Sequence, residues 1–323
     1  MTSDALVALT LHTDRARLST TLRRWHWWRD LRRIQAEGPD NAFFRWRRWS
    51  EILRTSPVRT DPAGRGPVEL HLLCHRGDYL CGIWALKTLY LTSRARWPIV
   101  IHLQGSTSAG MIRRLRKHFP DVRLVGQREA DEKVAQAFAA KHPKLIQARR
   151  HSPFMMKLVD FSVFARAERI VVLDSDVLFF RAPVELRAHA ETESSSGCLF
   201  QRDPASTYNI TEEEATAMFG IHMPACVNTG ICVFPRSLVD FELCETVLEH
   251  PQVRRPSGWI EQTLFALCAG TRGGVKYLSS DYLISLERGV DYEPLTARHF
   301  AGSSRPLLTE EGMPYVIARG VFG

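Results

Sequence analysis

The sequence predicts an α/β domain, a mostly parallel central sheet flanked by helices, preceded by an N-terminal helical extension. Three observations carry this. From residue 68 onward, short apolar runs rich in β-branched residues alternate with stretches of helical period. One of these runs, Arg169-Ile-Val-Val-Leu173, is apolar after its leading Arg and stops abruptly at two acids. Residues 1–66 have another texture, with 13 Arg, no Lys and five of the eight Trp. The expected division is therefore a helical extension over 1–66 and one α/β domain over 67–323.

Composition narrows the function classes. At 45% hydrophobic and 24% charged, the chain is an ordinary globular protein and wholesale disorder is excluded. The net charge is +8, of which the first 66 residues hold +6. A protein basic along its whole length is excluded, and no nucleic-acid recognition motif accompanies the arginines, so no nucleic-acid partner is expected. Seven cysteines with no CxxC and no zinc spacing, most of them in apolar runs, read as reduced and buried. The start lacks a basic n-region, and no apolar run approaches the ~18–20 residues that span a bilayer. The expectation is a cytoplasmic protein.

Element by element, residues 15–35 space Leu18, Leu22, Trp25, Trp28, Leu31 and Ile34 as an amphipathic helix. Gly38-Pro39 breaks it, and Asp40 is the expected N-cap of a second helix bearing Phe43, Trp46, Trp49 and Leu53. This arm over 15–54 either packs its aromatic stripe on the main domain or meets an anionic membrane surface peripherally. Residues 60–67 read as a linker. Strands are expected at 68–74, 98–103 and 122–125, with helices at 79–91 and 108–118 between them. Residues 130–168 are helical by periodicity, the strand 169–173 follows, and then come a strand at 227–234 and a helix at 262–269. Thr211-Glu-Glu-Glu214 is a capping box, placing a helix within 209–219.

The chemistry gathers at the end of the strand 169–173. Ligands of open α/β sheets collect beyond the carboxyl ends of strands. Asp174 and Asp176, one residue apart in extended chain, project to the same side and repel each other unless a cation lies between them. Hard oxygen ligands of this kind suit Mg²⁺ or Mn²⁺. An acidic turn facing solvent is the alternative.

The run 169–180 with its DxD resembles the metal-binding strand end of nucleotide-sugar glycosyltransferases of the GT-A fold. Among these, the retaining family-8 type, which includes bacterial lipopolysaccharide glycosyltransferases and glycogenin, is the nearest. Four further features follow in order. Lys157 stands where that family has a donor-binding Arg. Asn228-Thr229-Gly230 is similar to its N-[AS]-G segment at the donor sugar. Glu261-Gln262 resembles its Asp-Gln pair. His299-Phe-Ala-Gly302-Ser-Ser-Arg305-Pro306 is similar to its H-[FY]-x-G-x-x-K-P-W, with Leu307 in place of the Trp. The resemblance spans 68–306 and implies a GT-A fold and a metal-dependent hexosyltransferase that uses a UDP-hexose with retention.

It further implies that Asp174, Asp176 and His299 hold the metal, and that Lys157, Ser175, Gly302 and Arg305 hold the diphosphate or donor. Asn228, Glu261 and Gln262 would position the sugar. Gly302 would allow close approach of backbone to phosphate, and Arg305 could grip it bidentately or lie solvated at the surface. Cys74, His75 and Arg76 follow the first strand, where base or ribose would lie; Asp78 either joins them or caps the next helix. The partners implied are a nucleotide-sugar donor and an acceptor of unspecified class. Two other readings stay open. A haloacid-dehalogenase-like phosphatase also places DxD after an apolar strand, although Leu178 stands where such enzymes have Thr or Val. A GT-A-like scaffold that binds without turnover is the other.

Overall fold

The computed structural model describes residues 39–62, 66–192 and 197–322. The amphipathic helix expected at 15–35 and residues 63–65 of the expected linker lie outside the described residues. The chain divides into two units after Ser50. In the first, helix α1 (Pro39–Ser50) starts at Pro39, so Asp40 lies within its first turn and is not its N-cap. Proline suits that position because the first helical N–H has no intrahelical partner. Phe43, Phe44 and Trp46 are exposed on α1.

The second unit, residues 51–323, holds a seven-stranded sheet in the order β3-β2-β1-β4-β7-β6-β8. Its strands are β1 (Val68–His75), β2 (Ile99–Gln104), β3 (Arg123–Gly126), β4 (Arg169–Leu173), β6 (Cys198–Arg202), β7 (Val227–Pro235) and β8 (Val275–Tyr277). The pairs β1–β2, β1–β4, β2–β3 and β6–β8 are parallel, and β7 runs antiparallel to both β4 and β6. A second sheet of three short strands joins β5 (Val177–Phe179), β9 (Tyr282–Ile284) and β10 (Ala297–His299), with β10 in the middle. The fold is α/β with a mostly parallel sheet, as the alternation of apolar runs and helices indicates.

Helices cover both faces. Helix α2 (Tyr79–Ser93) packs on β1 and β5, with Leu72 facing it across Gly82. Then follow α3 (Ala109–His118), capped by Ser108, α4 (Gln127–Phe138), α5 (Pro143–His151) and α6 (Met155–Phe164). His71, next to Leu72 on β1, lies against Phe161 of α6, the ring centroids 5.2 Å apart. Neighbours on a strand point to opposite faces, so α2 and α6 lie on opposite sides of the sheet. The single helical stretch expected over 130–168 is three helices, because Pro143 and Pro153 interrupt the hydrogen-bond ladder.

Beyond them lie α7 (Val184–Glu191), α8 (Glu212–Phe219), α9 (Phe241–Val247), α10 (Pro251–Arg254) and α11 (Ile260–Arg272). Thr211 and Glu214 form the capping box of α8. One core cluster sets Phe161, Phe200, Phe234 and Phe265, all fully buried, between β4, β6 and β7 and the helices α6 and α11. All seven cysteines are free, and among the described residues no helix is long and apolar enough to cross a membrane. Residues 51–62 run along this unit rather than away from it. Buried Lys87 donates to Thr55 Oγ1 and, at 2.5 Å, to the Ser56 carbonyl, while Val58 N–H bonds to the His118 carbonyl at 2.9 Å.

The small sheet is secured by Arg298, whose side chain is fully buried. Its guanidinium donates to Tyr292 Oη at 2.7 Å and to the carbonyls of Ser285 and Glu287 at 3.2 and 2.6 Å, with Glu311 3.5 Å away. Arg298→Met would leave buried Tyr292 Oη, two main-chain carbonyls and a carboxylate without this donor, at a cost of about 3 kcal/mol. The expected drop in melting temperature is about 6–12 °C, read by calorimetry. A drop of a degree or less would contradict the assigned role.

Candidate active site

Strand β4 ends at Leu173, and the turn 174–176 leads directly into β5. The backbone of this turn is held from two sides. Asp174 N–H donates to the Gly230 carbonyl of β7 at 2.8 Å, and the Asp176 carbonyl accepts from Phe300 N–H at 2.8 Å. The second bond extends the antiparallel β5–β10 ladder, in which Val177 faces His299. That pairing delivers His299, more than 120 positions away in sequence, to the two carboxylates. Its Nε2 lies 3.2 Å from Asp176 Oδ1 and 3.8 Å from Asp174 Oδ2. One ligand atom from each of Asp174, Asp176 and His299 can be chosen so that all three lie within 4.8 Å of one another. Two carboxylates and an imidazole so gathered are a donor set that could hold one divalent cation.

Gly230 is why the imidazole fits. A Cβ on this residue would fall 2.2 Å from His299 Cε1 and 2.4 Å from Nδ1, which no side chain tolerates. The ring is buried, and its Nδ1 has no hydrogen-bond partner. Burial alone would strip its proton, but the hydrogen bond to Asp176 and the charges of both aspartates outweigh this and raise its pKa. Asp176 shifts the other way. Burial would raise its pKa, yet His299 and Arg305 bring it down to about 2.

On the far side of Asp174, buried Lys157 of α6 donates to both carboxylate oxygens at 2.9 and 3.1 Å. The same ammonium reaches Thr229 Oγ1 at 3.2 Å and Glu261 Oε1 at 3.9 Å. Thr229 in turn donates to Glu261 Oε2 at 3.2 Å. Burial opposes the charge on Lys157, but Asp174 and Glu261 overcome it and hold the pKa above the ordinary lysine value. Glu261, in the first turn of α11, is the less well compensated partner. Burial pushes its carboxyl up to about 7 despite Lys157.

Arg305 closes the other edge. Its guanidinium lies 3.3 Å from Ser175 Oγ, 3.5 Å from Asp78 Oδ2 and 3.8 Å from Asp176 Oδ2. Ser175 donates to Asp78 at 3.1 Å, and Asp78 Oδ1 accepts from His75 N–H at 2.8 Å. Asp78 therefore joins the site, and its side chain makes no capping bond to α2. Gly302 takes φ +57° at the turn before Arg305, a conformation that favours glycine. Cys74 is buried at the end of β1, its thiol pKa raised well above the ordinary value by burial and Asp78. His75 and Arg76 are exposed in the turn that follows, and Arg76 makes no contact with the cluster among the described residues.

Asn228 and Gln262 meet through a residue that the sequence reading missed. Asp203, just after β6, accepts from Asn228 Nδ2 at 2.9 Å through one oxygen and from Gln262 Nε2 at 3.0 Å through the other. Gln262 also donates to Thr207 Oγ1 at 2.6 Å. The β6–β7 ladder slips between Phe200 and Gln201, leaving residues 229–231 without a β6 partner. This bulge allows Asn228, Thr229 and Gly230 to serve Asp203, Lys157 and His299 respectively. No spacing in the sequence marks Asp203, because its partners lie 25 and 59 positions away.

No family model matches the sequence, and no curated protein matches it. Solved structures do. The chain is similar to the WbbM bifunctional glycosyltransferase in its apo form, at 12% identity over 81% of this chain with a TM-score of 0.48, and it spans 52% of that chain. It is similar to mouse xyloside xylosyltransferase 1 at 11% identity, covering 77% of this chain and 99% of that one, with a TM-score of 0.48. The galactosyltransferase LgtC, in complex with donor and acceptor sugar analogs, is matched at 14% identity over 79% of this chain and 96% of its own, with a TM-score of 0.44.

Two outcomes are expected of the site. Gly230→Ala should displace the His299 ring and weaken Mn²⁺ binding by about ten-fold or more, measured by titration calorimetry; unchanged affinity would show that the ring does not depend on this gap. For Glu261, the folded carboxyl titrates near 7 against an ordinary 4.5, so the folded state holds the extra proton between those values. Stability then falls as pH rises through this window. Glu261→Gln should melt at or above the wild type at pH 8, and this relative advantage should shrink towards pH 5. An advantage that grows on acidification would contradict the assignment.

Proposed function

We propose that this chain is a metal-dependent glycosyltransferase that moves a hexose from a nucleotide-diphosphate sugar, a UDP-hexose, to an acceptor hydroxyl. The observation that carries this reading is the convergence of Asp174, Asp176 and His299, flanked by the cationic side chains of Lys157 and Arg305. A departing diphosphate carries concentrated negative charge, and such an arrangement meets it with positive charge fixed in advance. A divalent ion held by the three ligands, Mn²⁺ in preference to Mg²⁺ given the imidazole, would supply Lewis-acid neutralisation of that diphosphate.

The remaining roles belong to the chain's own residues. Arg305 makes loose contacts to Asp78 and Asp176, and its planar fork can exchange them for phosphate oxygens. Lys157 grips both oxygens of Asp174 and directs its side chain into the site. Asp203 orients the amides of Asn228 and Gln262, so that Gln262 offers its carbonyl oxygen to a sugar hydroxyl. Glu261, buried behind Thr229, fixes the start of α11 on which Gln262 stands. Retention of configuration is what the family-8 resemblance implies.

The reading is tested by a melting series. A ligand at a hundred times its dissociation constant stabilises the native state by about 2.7 kcal/mol, which is a rise of several degrees for a chain of this size. UDP with Mn²⁺ should stabilise the protein more than the sum of the two alone. Asp176→Asn and His299→Ala should each lose most of that synergy, read against the ligand-free melting temperature of each variant. Equal stabilisation by UDP with and without Mn²⁺ would overturn the proposal.

A further inference from the structure

A cavity of about 430 Å³ opens beside the cluster, between the end of α5, the start of α6 and the segment that leads into α11. Its walls continue directly into the site. Phe154, one turn before Lys157, has its ring centroid 5.8 Å from the Lys157 ammonium. Ile260, on the opposite wall, immediately precedes Glu261 and Gln262. The volume lies within the range of small-ligand sites and suits one or two sugar rings.

The lining has a definite chemical character. Phe154 is 46% exposed, a large aromatic face left open. Such a face stacks on the apolar side of a sugar ring. No acidic side chain lines the cavity, whereas Arg254 does, and among the described residues Arg254 has no carboxylate partner. His151, also in the lining, donates from Nδ1 to the Gln147 carbonyl at 2.7 Å, which leaves Nε2 for a ligand hydroxyl. The N-terminal turn of the 13-residue helix α11 forms part of the same wall and adds positive potential.

Resting on the transferase reading above, we propose that this cavity is the acceptor site and that the acceptor is an anionic sugar. Its ring stacks on Phe154 and its carboxylate or phosphate is met by Arg254. The next sugar is thereby added to a residue that already bears negative charge.

The test uses binding to the full chain without donor, so that it does not depend on turnover. Methyl β-glucuronide and glucose 6-phosphate represent the two anion sources, and methyl β-glucoside is the neutral control. By calorimetry or ligand-observed NMR, at least one anionic probe should bind about five-fold or more tightly than the control, with the preference falling as salt is raised. Arg254→Gln should erase most of that preference. Phe154→Ala should weaken all three probes together, with melting temperature checking that both variants are folded. Equal affinity for the three probes, or a preference that survives Arg254→Gln, overturns the proposal. The UDP–Mn²⁺ melting series is read separately on the same protein. If its synergy is present and the anion preference absent, the acceptor assignment alone falls; if the preference is present and the synergy absent, the cavity still binds anionic sugars and the transferase reading falls.

Discussion

The site depends on one buried ammonium. Lys157 lies at the junction of Asp174, Thr229 and Glu261, in a region where an uncompensated carboxylate would be driven to protonate. One cation cannot neutralise two carboxylates equally. The nearer, Asp174, is gripped through both oxygens, whereas Glu261 sits a full ångström further off and bears the electrostatic cost, with its carboxyl raised to about 7. Burial thus sorts two chemically similar acids into different tasks. One is turned towards His299, and the other is held within the protein against Thr229.

A second dependence is steric. β7 must be antiparallel to β4 for Gly230 to hold the backbone of Asp174, and residue 230 must lack a side chain for His299 to lie over it. One glycine therefore serves both the strand end and the imidazole. The β5–β10 ladder fixes the imidazole from the other direction, and fully buried Arg298 secures the strand that carries it. Acid, imidazole and glycine come from three separated stretches of chain, and each is positioned by main-chain pairing.

Those pairings mark what could be read in advance. The strand 169–173 and its two aspartates were legible because a buried run that stops at acids is a local pattern. The α/β class was legible because it is a sum of local periods. Ordered motifs then pointed to Lys157 and Glu261, whose side chains meet each other, and to His299, which meets Asp174 and Asp176. Asp203 was illegible because its importance rests on two bonds across long sequence separations and on a ladder slip that periodicity does not encode. The breaks at Pro143 and Pro153 were visible in the sequence, but continuous helical periodicity on either side outweighed them. Asp78 is instructive in another way. Its position before α2 suited a cap equally well, and the presence of Ser175 and Arg305 across the cleft decided where its carboxylate turned.

The base of the site is made of strand on both sides: the end of β4 and the bulged start of β7. These two strands keep the spacing of a β-ladder, roughly 4.8 Å. The segment from Asp203 to Cys226, which joins β6 to β7, is stitched to β7 and α11 by Asp203. That segment can therefore vary without altering the spacing of Asp174 and Gly230, provided that the stitch is kept, because the pairing of β4 with β7 does not run through it. Variation and constancy are here properties of two different kinds of backbone.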